Sequence, residues 1–170
     1  SVGVASGRTT EIREAIAPWV APAQASVGAF VAEHGGLRLA VAIRMLNNYR
    51  TEVLAYDGLG ELPALIELGF EIELLVQGPP EADAQAAFRE TLDKRGCTLP
   101  FSVFPGPYAL ADMLRQGRYD LCVVADSSRD AAHQAGVPML STRELAPWLG
   151  GVEANVAHVR RALSEKPTRS

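Results

Sequence analysis

Residues 119–140 read YDLCVVADSSRDAAHQAGVPML, and this stretch decides the fold of the chain. Its segment 121–125 is an unbroken apolar run of about one strand's length, which is typical of a strand buried on both faces of a parallel sheet. The polar triplet 126–128 ends that strand, and Ser127 with Asp130 resembles a capping box that starts a short helix. A Gly-Val-Pro sequence then ends the helix and returns the chain to an extended conformation. Strand, turn, helix and strand in one short stretch are half of a doubly wound α/β domain.

The other strands are predicted from apolar runs bounded by glycine or proline. In chain order, the second, third and fifth strands are residues 70–77, 101–104 and 137–140, and segment 121–125 is the fourth. Helical patterns lie between these strands. Strands that alternate with helices imply right-handed crossovers and a mostly parallel sheet. The strand orders 3-2-1-4-5 and 2-1-3-4-5 are both compatible with five strands, and we favour the first. The sequence therefore predicts a Rossmann-like, doubly wound α/β fold, with a mostly parallel five-stranded sheet and helices on both faces.

The first strand has two interpretations. If it is residues 37–43, about 17 irregular residues separate it from the next helix, whereas βα loops usually have 2 to 6. If residues 37–47 are helical instead, the first strand is residues 51–56, TEVLAY, and the loop Asp57-Gly58-Leu59-Gly60 leads directly into a helix. We prefer the second interpretation because its loop is short.

Two helices are predicted before the sheet. The first is capped by Thr9 or Thr10 and ends around Pro18 to Pro22, and the second runs from residue 26 to residue 35. The predicted organisation is a helical lead-in packing on the sheet over 1–50, an α/β domain over 51–163 and a solvated tail over 164–170. Because the chain begins at serine in mid-pattern, we expect a piece of something longer or a processed product.

Composition excludes several classes of function. The chain is 48% hydrophobic and 21% charged, which is ordinary for a globular domain, and a net charge of −4 gives no footprint for nucleic acid. No apolar run approaches the roughly 20 residues that span a bilayer, and no signal peptide is recognised, so we expect no membrane partner. Cys97 and Cys122 form no disulfide framework, and a reducing cytoplasm is the expected location. The histidines are not paired at metal-ligand spacing, so no metal site is predicted.

Candidate ligand residues follow the carboxyl ends of the predicted strands, where open α/β sheets bind their ligands. They are Asp57, Gly58, Gly60, Asp126, Ser127, Ser128, Ser141 and Arg143. The glycines allow close backbone approach, and a helix N-terminus there can hold an anion. The alternative is that Asp57-Gly58 is a plain turn and Ser127 only caps its own helix. The D-G-x-G pattern is too short for a dinucleotide fingerprint, and no nucleophile elbow, phosphate loop or triad is present, so no catalytic residue is predicted.

The order of these features resembles a late domain of the nitrogenase component 1-type proteins. Val2-Gly3-Val4 before Thr9-Thr10 is similar to the entry into that domain, and a long helical stretch follows over 26–47. The sequences ELPALIELGFEIELLV and YDLCVVADSSRDAAHQAGVPML are similar to the family's helix ending in Leu-Gly before a strand and to its Asp-Leu strand, polar turn and Gly-Val-Pro strand. The Gly-containing turn PWLGG at 147–151 precedes the closing helix, as in the family. The resemblance covers nearly the whole chain.

The resemblance implies a larger chain of several such domains, with metal clusters held between domains and subunits and an ATP-dependent reductase that delivers electrons. The family includes catalytic nitrogenase subunits of nitrogen fixation, light-independent protochlorophyllide and chlorophyllide reductases, and cofactor-assembly scaffolds. Neither Cys97 nor Cys122 stands in a cluster-ligating motif, and LSTRELAPWLGG has no histidine where the catalytic subunits offer one to their cofactor. The resemblance therefore implies a partner subunit, a scaffold or a divergent reductase, with any iron–sulfur or metal cluster bound outside this domain.

Two main hypotheses of function follow. The first is a domain of a nitrogenase-like oxidoreductase or cofactor-assembly scaffold that contributes walls and interfaces, is not itself catalytic, and contacts homologous subunits or other domains. The second is a self-contained flavodoxin-like module that binds a small anion over Asp57–Gly60 and Ser127. A third interpretation, half of a sugar-nucleotide transferase, needs a second domain for its donor cleft.

Overall fold

The computed structural model describes residues 2–44, 62–94, 96–146 and 151–165. In chain order its helices and strands are α1 (Val2–His34), β1 (Arg38–Arg44), α2 (Leu62–Glu67), β2 (Glu71–Gln77), α3 (Ala82–Lys94), β3 (Phe101–Phe104), α4 (Pro107–Gly117), β4 (Leu121–Val124), α5 (Arg129–Ala135), β5 (Met139–Ser141) and α6 (Val152–Ser164). Two single 3₁₀ turns, Asp126–Ser128 and Thr142–Glu144, follow β4 and β5.

The five strands form one parallel sheet in the order β3-β2-β1-β4-β5. β1 lies at its centre, because Leu39 is paired with Ile72 on β2 and with Leu121 on β4. All four residues of β4 are buried, as its continuous apolar sequence predicts. The predicted Rossmann-like α/β fold and the predicted strand order are confirmed.

Helices cover both faces of the sheet and form two separate apolar layers. Leu39, Val41 and Ile43 of β1 point to a layer shared with α1, α2, α3 and α6. Ala40 and Ala42 point to the other layer, which is shared with α4 and α5. Since successive side chains of a strand alternate between faces, one seven-residue strand supplies both layers.

The preferred interpretation of the first strand is wrong. Residues 38–44 are β-strand and not part of a helix over 37–47, and they pair with β2 along their whole length. The physical reason is that this segment lies between β2 and β4 in the sheet. Its apolar side chains are therefore buried on both faces of the sheet. The length of the loop before the next helix therefore does not decide which segment is the first strand. The predicted strand 51–56 and the predicted domain boundary after residue 50 lie outside the described residues.

The prediction of two N-terminal helices is also wrong, because α1 is one continuous helix from Val2 to His34. Pro18 and Pro22 lie inside it and are both exposed, and Thr9 and Thr10 are interior residues rather than caps. The fixed φ of proline is itself helical, so each proline removes one backbone hydrogen bond without forcing an end.

One described segment, Glu14–His34 of α1, is long and apolar enough to cross a membrane by length and composition. The prediction that no run reaches that length is therefore wrong. The reason is that residues 15–32 contain no Asp, Glu, Lys or Arg, although two prolines interrupt the sequence pattern. Only 11% of this apolar stretch is buried in this structure. Phe30, near its C-terminal end, is fully buried in the core.

Candidate functional site

A polar cluster lies at the carboxyl edge of the two neighbouring strands β4 and β5. Asp126 follows the end of β4, and Ser141 is the last residue of β5. Because parallel neighbours end at the same edge, the two side chains meet, and the Ser141 hydroxyl donates a 2.8 Å hydrogen bond to Oδ1 of Asp126. The Ser141 residue is buried, whereas Asp126 is partly open to solvent.

Two arginines surround the Asp126 carboxylate. Arg143 Nη1 lies 3.2 Å from Oδ2, and Arg129 Nε lies 3.3 Å from Oδ1. The hydrogen bond from Ser141, followed by the charges of Arg143 and Arg129, holds the pKa of Asp126 below its usual value. The Arg143 side chain is 85% exposed, so its outer face remains open to solvent. At neutral pH the cluster therefore pairs one carboxylate with two guanidinium groups.

A capping box anchors the turn that follows β5. The Ser141 backbone N–H donates a 2.8 Å hydrogen bond to Oε2 of Glu144, and Ser141 Oγ accepts one from the Arg143 N–H. The backbone hydrogen bond from Ser141 and the neighbouring Arg161 guanidinium lower the pKa of Glu144. His158 Nδ1 lies 2.7 Å from the Glu144 carbonyl oxygen and ties the same turn to α6.

The structure brings together three of the residues singled out in the sequence, namely Asp126, Ser141 and Arg143. Asp57, Gly58 and Gly60 lie outside the described residues.

The predicted capping box of Ser127 and Asp130 is wrong. Residues 126–128 form a 3₁₀ turn in which the Ser128 N–H donates to the Ala125 carbonyl, so α5 begins only at Arg129. Ser128 occupies the N-cap position of α5 without a side-chain cap hydrogen bond. Ser127 is exposed beside the cluster.

Three further members of the cluster are not among the predicted ligand residues, namely Arg129, Glu144 and Arg161. The sequence Ser-Thr-Arg-Glu at 141–144 is itself a capping-box pattern, so this part of the cluster was readable from local spacing. Arg129 stands three residues after Asp126, a second local signal. Arg161 is contributed by α6, and no local spacing indicates its contact with Glu144.

The cysteines of this chain do not fit a metal cluster. Cys122 is fully buried in the layer under α4 and α5, and burial raises the pKa of its thiol to about 12. Cys97 packs against the layer on the opposite face of the sheet. Among the described residues there is no group of three or more His, Cys, Asp and Glu side chains that could hold a metal ion.

Fold and site together define a Rossmann-like α/β domain with a polar cluster at the carboxyl edge of its sheet. Comparisons of the chain with protein-family models, with curated proteins and with solved structures give no match.

Proposed function

We propose that the chain is a domain of a nitrogenase-like oxidoreductase subunit or of a metal-cofactor assembly scaffold. In this proposal the domain supplies walls and interfaces, while other domains or homologous subunits of the cytoplasmic parent complex bind the cluster. An ATP-dependent reductase then delivers electrons to the parent complex and not to this domain. The proposal rests on the resemblance of the sequence and on the surface of α1.

The exposed apolar side chains of α1 are the observation that carries the proposal. Ala23 and Phe30 belong to one apolar stripe of this helix and are buried, and Phe30 packs in the core. The same stripe continues toward the N-terminus as Ile16 and Trp19, with helical spacing of three and four residues. These two side chains are 38% and 64% exposed. Aromatic anchors of this kind are enriched at protein interfaces, which favours a neighbouring domain or subunit over this part of α1.

A charge placed at Trp19 tests this interface. The Trp19→Glu substitution is expected to weaken association with the parent complex by about thirtyfold or more, the usual cost of removing a central tryptophan anchor. The measurement is co-purification of the tagged chain with its partner proteins under anaerobic conditions, followed by titration of the isolated partners. Tyr108→Glu is the matched control, because Tyr108 is 84% exposed on a different helix. Equal association of wild type and Trp19→Glu would contradict the interface.

A self-contained module that binds a small anion is the second candidate. The observation that favours it is the pair of arginines at Asp126, since Arg143 is open to solvent at the edge where Rossmann-like sheets bind ligands. Arginine binds phosphate and carboxylate groups through its planar set of N–H donors.

A thermal-shift screen of nucleotides tests the second candidate. A ligand bound at this edge raises the midpoint of unfolding of wild type and has less effect on Arg143→Ala. Because Arg143 is exposed, the variant should keep the fold, which circular dichroism checks. An equal shift for both proteins argues against ligand binding at Asp126.

A further inference from the structure

A second groove lies at the amino edge of the sheet, at the opposite end of β4 and β5 from the Asp126 cluster. Its volume is about 880 Å³, within the range of small-molecule sites. The last turns of α4 and α5 form its sides, and the buried residues Tyr119 and Val137, which precede β4 and β5, line it between them. Neither hypothesis drawn from the sequence uses this region.

Arg118 lines the groove in a strained conformation. It is the C-cap of α4 with φ 52° and ψ 47°, and no other described non-glycine residue has a positive φ. Glycine is the usual residue in this left-handed conformation, because a Cβ clashes with the following carbonyl oxygen. Strain held at a single residue is a reason to look for a function of its side chain.

The charge of the Arg118 side chain is available to a ligand. The side chain is exposed, and within the described ranges no carboxylate forms an ion pair with it, whereas the neighbouring Arg115 pairs with Asp112. His133 of α5 lines the groove from the other side. The one carboxylate among the lining residues, Asp120, already accepts a hydrogen bond from the Arg38 backbone N–H at 2.9 Å.

Hydrogen-bond donors meet several of the carbonyl groups at the ends of α4 and α5. The Gly117 carbonyl accepts a hydrogen bond from the Arg38 side chain. At the end of α5 the Gly136 N–H caps the carbonyls of residues 132 and 133, and Arg115 Nη2 reaches the Gln134 carbonyl. Cationic or N–H donors therefore reach these four carbonyls, while no carboxylate of the described residues pairs with the guanidinium of Arg118.

We propose that this amino-edge groove binds a small molecule that carries a phosphate or a multivalent carboxylate group, with Arg118 as the principal cation. His133, on α5 at the other side of the groove, can add a ring N–H donor, while Arg115 stays paired with Asp112. The proposal goes beyond the function proposed above and does not depend on it.

Anion-dependent stability of the full chain tests the proposal. Thermal unfolding is followed with sodium pyrophosphate or sodium citrate, each compared with sodium chloride at equal ionic strength. At ten times the dissociation constant, an anion bound only by the folded chain lowers the unfolding equilibrium constant about elevenfold. A larger effect of pyrophosphate assigns a phosphoryl ligand, and a larger effect of citrate assigns a carboxylate ligand.

Two substitutions separate the charge of Arg118 from its backbone strain. Arg118→Ala keeps a Cβ in the left-handed conformation, so its anion-free midpoint should match wild type while the anion effect is lost. Arg118→Gly should lose the anion effect as well but unfold at a higher temperature than wild type without anion, since glycine relieves the strain. Lys94→Gln, which removes an exposed positive charge on α3, is the control and should keep the full effect.

An anion effect in Arg118→Ala equal to that of wild type would overturn the proposal, as would a wild-type response no larger than that to sodium chloride. Arg143→Ala distinguishes this groove from the carboxyl edge. If Arg143→Ala loses the response and Arg118→Ala keeps it, the anion binds at the Asp126 cluster and the amino-edge site is refuted.

Discussion

Two helical glycines of this chain differ in the space around them. A Cβ on Gly117, at the end of α4, would lie 2.5 Å from Cζ of the Tyr119 ring, whereas a Cβ on Gly28 of α1 would have no neighbour within 4 Å. The Tyr119 ring cannot move freely, because its hydroxyl donates a 2.7 Å hydrogen bond to Glu73 and the ring is buried. Tight packing at one glycine and open space at the other predict opposite effects of the same substitution.

Gly117→Ala should lower the free energy of unfolding by about 1–3 kcal/mol, the usual cost of overpacking, which exceeds the gain in helix propensity. Gly28→Ala is the matched control and should raise it by about 0.5–1 kcal/mol, since alanine is the better residue inside a helix. Urea unfolding of both variants measures the difference. A Gly117→Ala variant as stable as Gly28→Ala would show that Tyr119 yields without cost.

The carboxylates at the carboxyl edge make stability depend on acid pH. The pKa of Asp126 and the pKa of Glu144 are both held below their usual values by partners that exist only in the folded chain. Each group therefore stabilises the fold fully above the unfolded-state pKa of about 4, and this contribution is lost as the pH falls through the lower folded-state pKa.

We expect the free energy of unfolding of wild type to fall between about pH 5 and pH 3 and Glu144→Gln to show a shallower fall, so that the two curves converge in acid. Glu67→Gln replaces an exposed carboxylate outside the cluster and should keep the wild-type slope. Denaturant titrations at several pH values measure these slopes. Parallel curves for wild type and Glu144→Gln would contradict the assigned role of the capping box.

At the scale of elements, α6 is attached to the turn after β5 by one buried amide. The Asn155 side chain accepts a 2.8 Å hydrogen bond from the Ala146 N–H and donates one of 2.8 Å to the Ala146 carbonyl. Because Asn155 is buried, water does not easily take its place as the hydrogen-bond partner of Ala146. The Asn155 side chain thus bonds both the N–H and the carbonyl of Ala146, as the backbone of a neighbouring strand would.

Asn155→Ala should destabilise the chain by about 1–3 kcal/mol, because it leaves the part-buried N–H and carbonyl of Ala146 without their partner. Glu153→Ala, an exposed substitution on the same helix, should change stability by less than about 0.5 kcal/mol. Chemical denaturation followed by circular dichroism compares the two. A cost for Asn155→Ala no larger than that of the control would mean that Ala146 finds other partners.

The elements also differ in how well the sequence predicts them. β4 and the helix that follows it could be predicted from the sequence, because a buried strand, a polar turn and a terminal glycine are all local signals. β1 was misassigned because its burial depends on β2 and β4, which are distant in sequence. α1 was divided in two because proline is a local signal, while the length of a helix depends on the whole segment.

The same distinction applies to the candidate site. The capping box at Ser141 and Glu144 depends on spacing within one turn and could be predicted from the sequence. The contact between Asp126 and Ser141 follows only from the adjacency of β4 and β5, which the predicted strand order supplied. Arg161 comes from a helix that no rule of spacing places beside Glu144.

At the scale of the whole molecule, both faces of the sheet are covered by the chain's own helices, and apolar surface is left on α1. Under the function proposed above, a neighbouring domain or subunit packs on Trp19 and Ile16, which are exposed in this structure. The cysteines lie on opposite faces of the sheet and do not form a cluster site. Under the proposed function, any metal cluster is bound by the partners of this domain and not by these cysteines.

The most direct test is the metal content of the parent complex, purified without oxygen through a tag on this chain. We expect iron and visible cluster absorption in that complex, both unchanged when the chain carries Cys97→Ser and Cys122→Ala. The alanine preserves a small apolar side chain in the core, and circular dichroism checks folding. A complex without iron, or one that loses its cluster absorption when these two cysteines are replaced in a folded chain, would contradict the account.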